Sequence, residues 1–521
     1  MKRLLAAPAL LALLLLAGCA LLPGAGKDSP AAEVRVDSGR EDAPGASVVR
    51  VEVVAPAALK TLLETYLDLV RLGRLGGLAS GDTIDDSEWT RLIDATPAQV
   101  RELLQTEGYF APEVEITRSP SALLGGPGNV RLQVTPGPRT RVSKVTIEVE
   151  GELERQASAG DERANHMLGE MRLRWPLPAG ATFRNPDWSD AKVSALARLR
   201  TQGYASASWA GTGAEIDPDA HEARLFLVAD SGPLYRYGGL RIEGLVAQDA
   251  QTVRNLAAAR LGTPVTEDLL LDFQERLQKA ALYESASVTL EADPAQAGAA
   301  EINVRLRELP LQLYTVGLGV SANTGPRASV EHVHRRAFGW AATARNKVEW
   351  GRLRQAWDGQ LGSHPGEAMY RNLLGGAIER LETSSDVVRS QRLRVGRAQD
   401  TKRTERLYFV EAERASREAA GTRTDTLALS VNAHGLWREL DNNLLPTKGF
   451  TVGVQGGVGR SHGNNSDDGF FSRAYARVTG YLPLGSTWYG QVRVEAGQLF
   501  AASSVAVPDS QLFRAGGDDS V

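Results

Sequence analysis

The fold class that the sequence predicts is a series of three small α+β modules followed by an antiparallel transmembrane β-barrel. The order strand, helix, helix, strand, strand recurs along residues 48–308, its junctions recur at constant spacing, and after residue 308 apolar and polar residues alternate. A chain of 521 residues has room for three or four domains. The net charge of −4, without a stripe rich in Lys or Arg, argues against a nucleic-acid partner.

The first 19 residues have the organisation of a secretory signal that ends at a lipidation site. Two cations precede an apolar run from Leu4 to Ala17, which is too short to span a bilayer comfortably. Leu16-Ala17-Gly18-Cys19 is similar to a bacterial lipobox, so we expect Cys19 to carry diacylglycerol. The alternative is an ordinary signal peptide that is cut nearby. Cys19 is the only cysteine, so the predicted cores must hold without internal disulfides.

Residues 20–47 are rich in Gly, Ala, Pro and acidic residues, a composition typical of a flexible tether. Modules are predicted after it at residues 48–136, 137–231 and 232–308. In the first module, apolar residues fall at helical spacing from Leu59 to Val70, and a second helix is predicted from Pro97 to Glu107. Alternating stretches at Glu113–Thr117 and Val130–Thr135 then predict two strands.

The ends of the predicted helices repeat between modules. Gly108-Tyr109 follows the last helix of the first module, and Gly203-Tyr204 follows that of the second. Glycine is the residue expected to end a helix in the left-handed conformation, and the aromatic residue after it can enter the core. Leu277 to Tyr283 is a third version of the same junction.

The module boundaries repeat as well. Gly137-Pro138 leads into the first strand of the second module, and Gly232-Pro233 leads into the strand that ends at Gly244 in the third. The distance from Gly137 to Gly232 is 95 residues, the same as from Gly108 to Gly203, so both features keep one register. This regularity is typical of a tandem repeat.

These modules resemble POTRA domains, the periplasmic docking units of outer-membrane assembly proteins. The resemblance rests on Gly180–Phe183 followed by Trp188 and Gly203-Tyr204, and on Gly262–Val265 followed by a helix at 266–281. It implies docking modules in the periplasm. Without it, the repeats would be small α+β units of unknown use.

From residue 309 to 521 the alternation predicts membrane strands. Arg473, Tyr475 and Arg477 alternate with small or apolar residues. Arginine at every second position needs a partner in a dry core but suits a wet lumen, and an edge in hydrocarbon must be closed. We count ten or eleven candidate strands. The resemblance to outer-membrane assembly proteins implies a barrel of sixteen strands, so the chain is expected to be truncated at Val521.

Two stretches are similar to motifs of this barrel superfamily. Asp441 to Gly449, with Pro446 and Thr447 inside, resembles the turn that precedes a strand. Phe513 to Val521, with Gly516 and Gly517, resembles the run that leads to the tip of a long inward-folded loop. The resemblance implies that an Arg-Gly-aromatic triplet follows Val521.

Modules and barrel together resemble the TamA family of outer-membrane assembly factors. The resemblance implies a protein of the bacterial outer membrane that inserts or secretes unfolded outer-membrane or autotransporter clients, contacts membrane lipid and has a TamB-like periplasmic partner. BamA-like insertases and two-partner secretion transporters remain alternatives. A passive porin or a structural anchor is an alternative of another class.

The first barrel strand is the predicted lateral gate. It runs from about Gln312 to Ser321, with Tyr314 on one face and Gly317 and Gly319 on the other. Glycine gives no cross-strand side-chain pair, so the seam at this strand should be weak.

No catalytic, phosphate-binding or cofactor motif is found, and we expect neither an enzyme nor a bound cofactor. His332 and His334 share a strand face, but a pair without a third ligand is not a predicted metal site.

Overall fold

The computed structural model describes residues 50–75, 86–119, 129–321, 325–383, 385–485, 487–508 and 511–512. The predicted signal, Cys19, the tether, Gly516 and Gly517 lie outside the described residues. The chain forms two compact units, one made of residues 1–104 and 112–137 and the other of 105–111 and 138–521. Each unit is described by itself below.

The first module forms a three-stranded sheet with helices. Its elements are β1 (Arg50–Val54), α1 (Ala57–Tyr66), α2 (Asp68–Leu75), α3 (Asp86–Thr106), β2 (Glu113–Ser119) and β3 (Asn129–Thr135). The middle strand, β3, pairs parallel with β1 and antiparallel with β2. Helix α3 begins at Asp86, before the predicted start at Pro97, because Trp89 and Leu92 pack against Leu69 and Val130 and extend its apolar face.

The second module repeats this sheet. Its elements are β4 (Arg141–Glu150), α4 (Glu152–Ser158), α5 (Glu162–Leu173), α6 (Asn185–Thr201), β5 (Ser208–Asp217) and β6 (Glu222–Asp230). The strand order is β4-β6-β5. Leu153, Leu168 and Met171, on α4 and α5, are buried in the same core as Leu225 of β6.

The third module has the simpler element order. It consists of β7 (Tyr237–Glu243), α7 (Ala250–Ala257), α8 (Glu267–Lys279), β8 (Tyr283–Leu290) and β9 (Ala300–Glu308), with a short 3₁₀ turn before β9. Thr266 caps α8 by accepting a hydrogen bond from the Leu269 amide at 3.2 Å. The predicted order of strand, helix, helix, strand, strand therefore holds here, whereas the first two modules carry one more helix each.

The remaining strands form one antiparallel sheet of eleven, in which each pairs with its neighbours along the chain. The strands are β10 (Gln312–Ser321), β11 (Gly325–His334), β12 (Ala342–Gly351), β13 (Arg354–Ser363), β14 (Tyr370–Glu382), β15 (Asp386–Asp400), β16 (Thr404–Ala419), β17 (Thr422–Leu440), β18 (Gly449–Gly463), β19 (Ser466–Pro483) and β20 (Tyr489–Ala501). The predicted fold class of α+β modules followed by an antiparallel barrel-type sheet is confirmed.

The two faces of the large sheet differ in chemistry. In β17, Leu427, Leu429 and Val431 are exposed, while Ser430 and Asn432 between them are buried. We call the face that carries Ser430 and Asn432 the inner face and the apolar one the outer face. An exposed apolar face on a long strand is what a lipid environment requires.

None of the helices in the described part of the chain is long and apolar enough to cross a bilayer.

Candidate functional site

The edge strand β10 pairs with β11 through ten consecutive residue pairs, from Gln312 opposite His334 to Ser321 opposite Gly325. Within the described residues its other edge has no partner strand. Leu318, on the outer face, is 85% exposed. The strand that the sequence predicts as a gate therefore has an apolar, exposed outer surface.

The two faces of β10 are held differently. On the outer face the Tyr314 ring stacks on His332, with centroids 4.4 Å apart, and the Tyr314 hydroxyl donates to Gln312 at 3.1 Å. On the inner face, Gly317 and Gly319 lie opposite Ser329 and Arg327 without side chains of their own. The strand is thus fixed at its start by an aromatic pair and has few side-chain contacts farther along.

His332 and His334 lie on the same outer face, with ring centroids 6.2 Å apart. Within the described residues there is no group of three His, Cys, Asp or Glu side chains placed to hold a metal ion.

A buried carboxylate on the inner face connects the sheet with the loop that follows β20. Glu411 of β16 is only 2% exposed, and it accepts hydrogen bonds from Arg394 Nε at 2.9 Å and Nη2 at 2.6 Å. Gln511 of the loop donates its Nε2 to Glu411 at 2.7 Å and accepts from Arg473 Nη1 at 3.0 Å. A charge on this face is therefore satisfied by several charge-assisted bonds.

Sequence reasoning missed Glu411 and Gln511. A signal was available, since Arg392 and Arg394 of β15 lie opposite Glu413 and Glu411 of β16 in the same alternation. Gln511, however, is 100 residues from Glu411 and carries no local pattern.

The described part of that loop lies against the inner face. The Asp467 amide donates to Ser504 O at 2.9 Å, and Val505 covers Gly469, where an added Cβ would lie 2.2 Å from Val505 Cγ2. The run from Phe513 to Val521, which is predicted to lead to the tip of an inward-folded loop, lies outside the described residues.

The turn between β17 and β18 is tied by Asp441. Its Oδ1 accepts the Thr447 and Lys448 amides at 3.1 and 3.0 Å, and its Oδ2 accepts the Thr447 hydroxyl at 2.6 Å. These bonds stabilise the carboxylate and lower the pKa of Asp441 to about 2. Pro446 is half-buried between them, and Gly449 begins β18 with a φ of +121°.

With the turn held by the hydrogen bonds of Asp441, Leu444 and Leu445 are exposed. The Asn442 side chain supports them by accepting both their amides, at 2.8 and 3.1 Å. Gly449 has no room for a side chain, because a Cβ would lie 2.0 Å from Glu439 O. Each of these features holds the geometry of the turn, and none of them points to a chemical reaction.

The predicted module junctions have a common backbone geometry. Gly108 and Gly203 are left-handed, with φ of +87° and +105°. Gly108 O accepts the Thr140 amide at 2.9 Å, and Gly203 O accepts the Tyr235 amide at 2.9 Å. The 95-residue periodicity of the sequence is therefore repeated in hydrogen bonds.

A second pair of backbone hydrogen bonds repeats between the modules in the same way. Thr140 O accepts the Phe183 amide at 2.9 Å, and Tyr235 O accepts the Val265 amide at 2.8 Å. A Cβ on Gly108 would lie 2.1 Å from Phe183 O. The close backbone approach explains why glycine occupies this position.

The other predicted junction residues have separate roles. Tyr204 is buried and donates its hydroxyl to Gln156 at 3.1 Å, whereas Tyr109 is half-buried and accepts from Arg139 Nε at 2.8 Å. Gly137, Gly232 and Gly244 have φ of +72°, +61° and +89°. Pro138 and Pro233 follow two of these glycines and precede β4 and β7.

The third junction departs from the glycine rule. Ala281 takes the left-handed conformation with φ of +55°, and its carbonyl accepts Arg335 Nε at 3.0 Å. Arg335 stands at the turn between β11 and β12, and its Nη1 also donates to Pro310 O at 2.7 Å. A buried arginine thus connects the third module with the large sheet, which no sequence pattern indicated.

A second connection lies beside it. His364, in the turn between β13 and β14, is buried, with Nε2 3.0 Å from Arg335 O and Nδ1 3.9 Å from an Asp249 carboxylate oxygen. Burial lowers the pKa of the His364 imidazole and so favours its neutral form. Asn255 of α7 donates to Pro365 O at 3.0 Å in the same turn.

A comparison with known families matches residues 363–521 to the Omp85 superfamily domain. Among solved structures, the chain is similar to BamA from Haemophilus ducreyi lacking POTRA domains 1–3, with 14% identity and a TM-score of 0.54, over 73% of this chain and 74% of that one. The matched share of this chain is larger than the share that residues 312–501 of the large sheet make up. The likeness in fold therefore includes residues of the modules.

Residues 363–521 therefore form part of an Omp85-type barrel sheet, which follows the POTRA-like modules.

Two further likenesses have lower TM-scores. CdiB from Acinetobacter baumannii is 13% identical, with a TM-score of 0.37 over 84% of this chain and 82% of that one. The POTRA3–5 fragment of BamA from Haemophilus influenzae is 17% identical, with a TM-score of 0.27 over 50% of this chain and 96% of that one.

The Omp85 domain places the protein in the bacterial outer membrane, with the POTRA-like modules in the periplasm. Because β9 leads directly into β10, the turn before β10 and every second turn after it lie on the periplasmic side. The Asp441 turn, Arg335 and His364 are therefore periplasmic, while the outer face of the Omp85 sheet contacts lipid.

Proposed function

We propose that this protein assembles or secretes other β-rich outer-membrane proteins, and that it does so as a TamA-like factor. The observation that supports this most is strand β10, whose outer face is apolar and exposed and whose Gly317 and Gly319 give no side-chain pair to the strand beside them. Unpaired backbone groups are costly in hydrocarbon, so a weak seam that opens at this strand is a template for an incoming strand.

A client strand that pairs with β10 satisfies its own backbone groups while it enters the membrane. Gly317 and Gly319 make this pairing exchangeable, because they add no cross-strand side-chain contact that would have to be broken. The work consists of binding and of lowering an insertion barrier, and no covalent bond is formed or broken.

The modules supply docking edges of the same kind. Within the part of the chain that the structure describes, β2, β5 and β8 each pair with one strand, the central strand of their module sheet. An extended client segment or a TamB-like partner can add to such an edge through main-chain hydrogen bonds. A partner of this type should protect amides of β5 from hydrogen exchange, and unchanged exchange at β2, β5 and β8 would exclude docking at these edges.

Site-specific photo-crosslinking tests the gate. A photoreactive amino acid at Leu318 should capture a client β-protein during its insertion into liposomes that contain the full chain. The matched control is Ile378 of β14, which is also exposed on the outer face but lies in a strand paired on both sides. Equal capture at both positions would mean that clients contact the lipid face at random.

The same liposomes separate the alternatives. An insertase leaves the client folded in the bilayer, and a secretion transporter delivers it to the far side. A passive porin conducts ions and changes neither the rate nor the yield of client insertion. Insertion at the same rate in empty liposomes would contradict the proposal.

We also propose that Cys19 is lipidated, supported by Leu16-Ala17-Gly18-Cys19. Mass spectrometry of the mature N-terminus should find a diacylglyceryl cysteine. An unmodified terminus at another residue would contradict this.

A further inference from the structure

The loop between β7 and α7 is held by a single carboxylate. Glu308, the last residue of β9, accepts the amides of Val246 and Gln248 at 2.8 Å each through Oε1. The Ala247 amide between them contacts both carboxylate oxygens, at 3.1 and 2.9 Å. Three successive amides that converge on one anion fix the course of a loop.

The loop is fixed at its base as well. Gly244 lies so close to β9 that a Cβ would stand 1.9 Å from Leu306 O. Leu245 packs against the core of the third module. Val246 at the tip is nevertheless 92% exposed. A lone exposed apolar residue is ordinary on a protein surface. Only the position of Val246 in the fold can therefore indicate a function for it.

That position is at the membrane end of the module. Three residues after Glu308, Leu311 O accepts the Arg335 amide at 2.8 Å. Arg335 belongs to the periplasmic turn that carries Phe338 and Trp340, both exposed, with ring centroids 5.6 Å apart. An extended chain of three residues spans at most about 10 Å, so the Val246 loop and this aromatic turn are anchored close together.

The other end of the loop is tied to the next periplasmic turn. Asp249, which caps α7, lies 3.9 Å from His364, and Asn255 of the same helix donates to Pro365 O at 3.0 Å. Two turns of the Omp85 sheet therefore bracket the loop. Its tip is therefore anchored near the periplasmic ends of strands β11 to β14.

We propose that Val246 is a membrane foot, by which the third module inserts its tip into the periplasmic leaflet beside Phe338 and Trp340. Apolar and aromatic side chains at this depth gain by leaving water, and Trp favours the headgroup level. The occupant of this surface is the lipid bilayer itself. The inference rests on the membrane location of the Omp85 domain and is independent of client assembly.

Depth-resolved fluorescence tests the foot. In a Cys19→Ala background, which removes the only native cysteine, Val246→Cys is labelled with an environment-sensitive probe. The full chain is reconstituted in phosphatidylethanolamine and phosphatidylglycerol vesicles with a spin-labelled lipid quencher. We expect blue-shifted emission and several-fold stronger quenching than for a probe on the same module that stays in water.

Leu261→Cys is the matched control. Leu261 is in the same module and 77% exposed, and the neighbouring Gly262 amide donates to Tyr237 O at the opposite end of β7. A seven-residue strand is roughly 20 Å long, so this probe should stay in water. Aqueous emission at both positions would overturn the proposal. Equal quenching at both would also overturn it, because the module would then lie flat on the bilayer without a specific foot.

Discussion

Strands β6 and β17 have the same alternation and opposite polarity. In β6 the buried residues include Leu225 and Leu227, while Glu222 and Arg224 on the other face are exposed together with Phe226. In β17 the buried residues include Ser430 and Asn432, while Leu427 and Leu429 are exposed. Alternation with a period of two shows that a strand has one apolar and one polar face. Whether the apolar face is buried or exposed depends on whether water or lipid surrounds the strand. A module in water and a sheet in lipid therefore use one pattern in reverse.

The comparison extends to how each region satisfies polar groups. The modules place their charges on the surface and bring backbones together through glycine, as at Gly108 and Gly203. The sheet turns charges inward and pairs them across strands, as with Arg477 and Glu495, whose Nε and Oε1 are 3.0 Å apart. Packing defects should therefore matter most in the modules, and lost ion pairs most in the sheet.

The largest effect is expected from Leu225→Ala. The change opens a cavity in the core of the second module and should lower the free energy of unfolding by about 2–5 kcal/mol. Urea unfolding followed by tryptophan fluorescence measures it. Leu429→Ala removes the same atoms from the lipid face of β17 and is the control, which should change much less. Equal losses would mean that β6 and β17 do not differ in the proposed way.

A loss of the same order is expected from Gly244→Ala. The left-handed φ of +89° costs alanine about 1–2 kcal/mol, and contact with Leu306 O should add about 1–3 kcal/mol. The matched control is Gly262→Ala, which has a φ of +80° and nothing within 4 Å of the added Cβ. Thermal unfolding of both variants separates conformational strain from overlap. If both lose the same stability, close backbone approach is unimportant in the module.

Glu411→Ala tests the inner face of the sheet. It leaves Arg394 and Gln511 without their shared acceptor and should destabilise the loop contact by about 1–3 kcal/mol. Faster protease cleavage after residue 501 in proteoliposomes is the expected result. Val410→Ala, on the outer face of the same strand, should leave cleavage unchanged. Unaltered cleavage in Glu411→Ala would show that the charge network does not hold the loop.

The smallest effect concerns the Asp441 turn. Because the pKa of Asp441 is lowered to about 2, the contribution of its carboxylate is present above the ordinary pKa of 3.8 and is lost as the pH falls through about 2. Asp441→Asn should speed hydrogen exchange of the Thr447 and Lys448 amides at neutral pH. Glu439→Gln, at the end of β17, is the control. Equal exchange in both variants would contradict the tie.

The sequence alone determined the features that depend on local pattern. Repeats 95 residues apart and residue alternation predicted the modules, the barrel-type sheet and β10 from Gln312 to Ser321, since periodicity and turn chemistry are properties of neighbouring residues. Roles for the predicted residues, including Cys19, Gly516 and Gly517, remain predictions. The extra helices of the first two modules were not predicted, because their apolar faces can be recognised only from the strands that they cover.

Only the tertiary structure decided how the regions are joined. Ala281 adopts a conformation that favours glycine, and its carbonyl is held by Arg335, which is 54 residues away. Glu411 meets Gln511 across 100 residues, and Glu308 collects three amides about 60 positions earlier. None of these pairs has a local signature. Each pair forms because the fold withdraws a polar group from water. That group is then satisfied by a hydrogen-bond partner from a distant part of the chain.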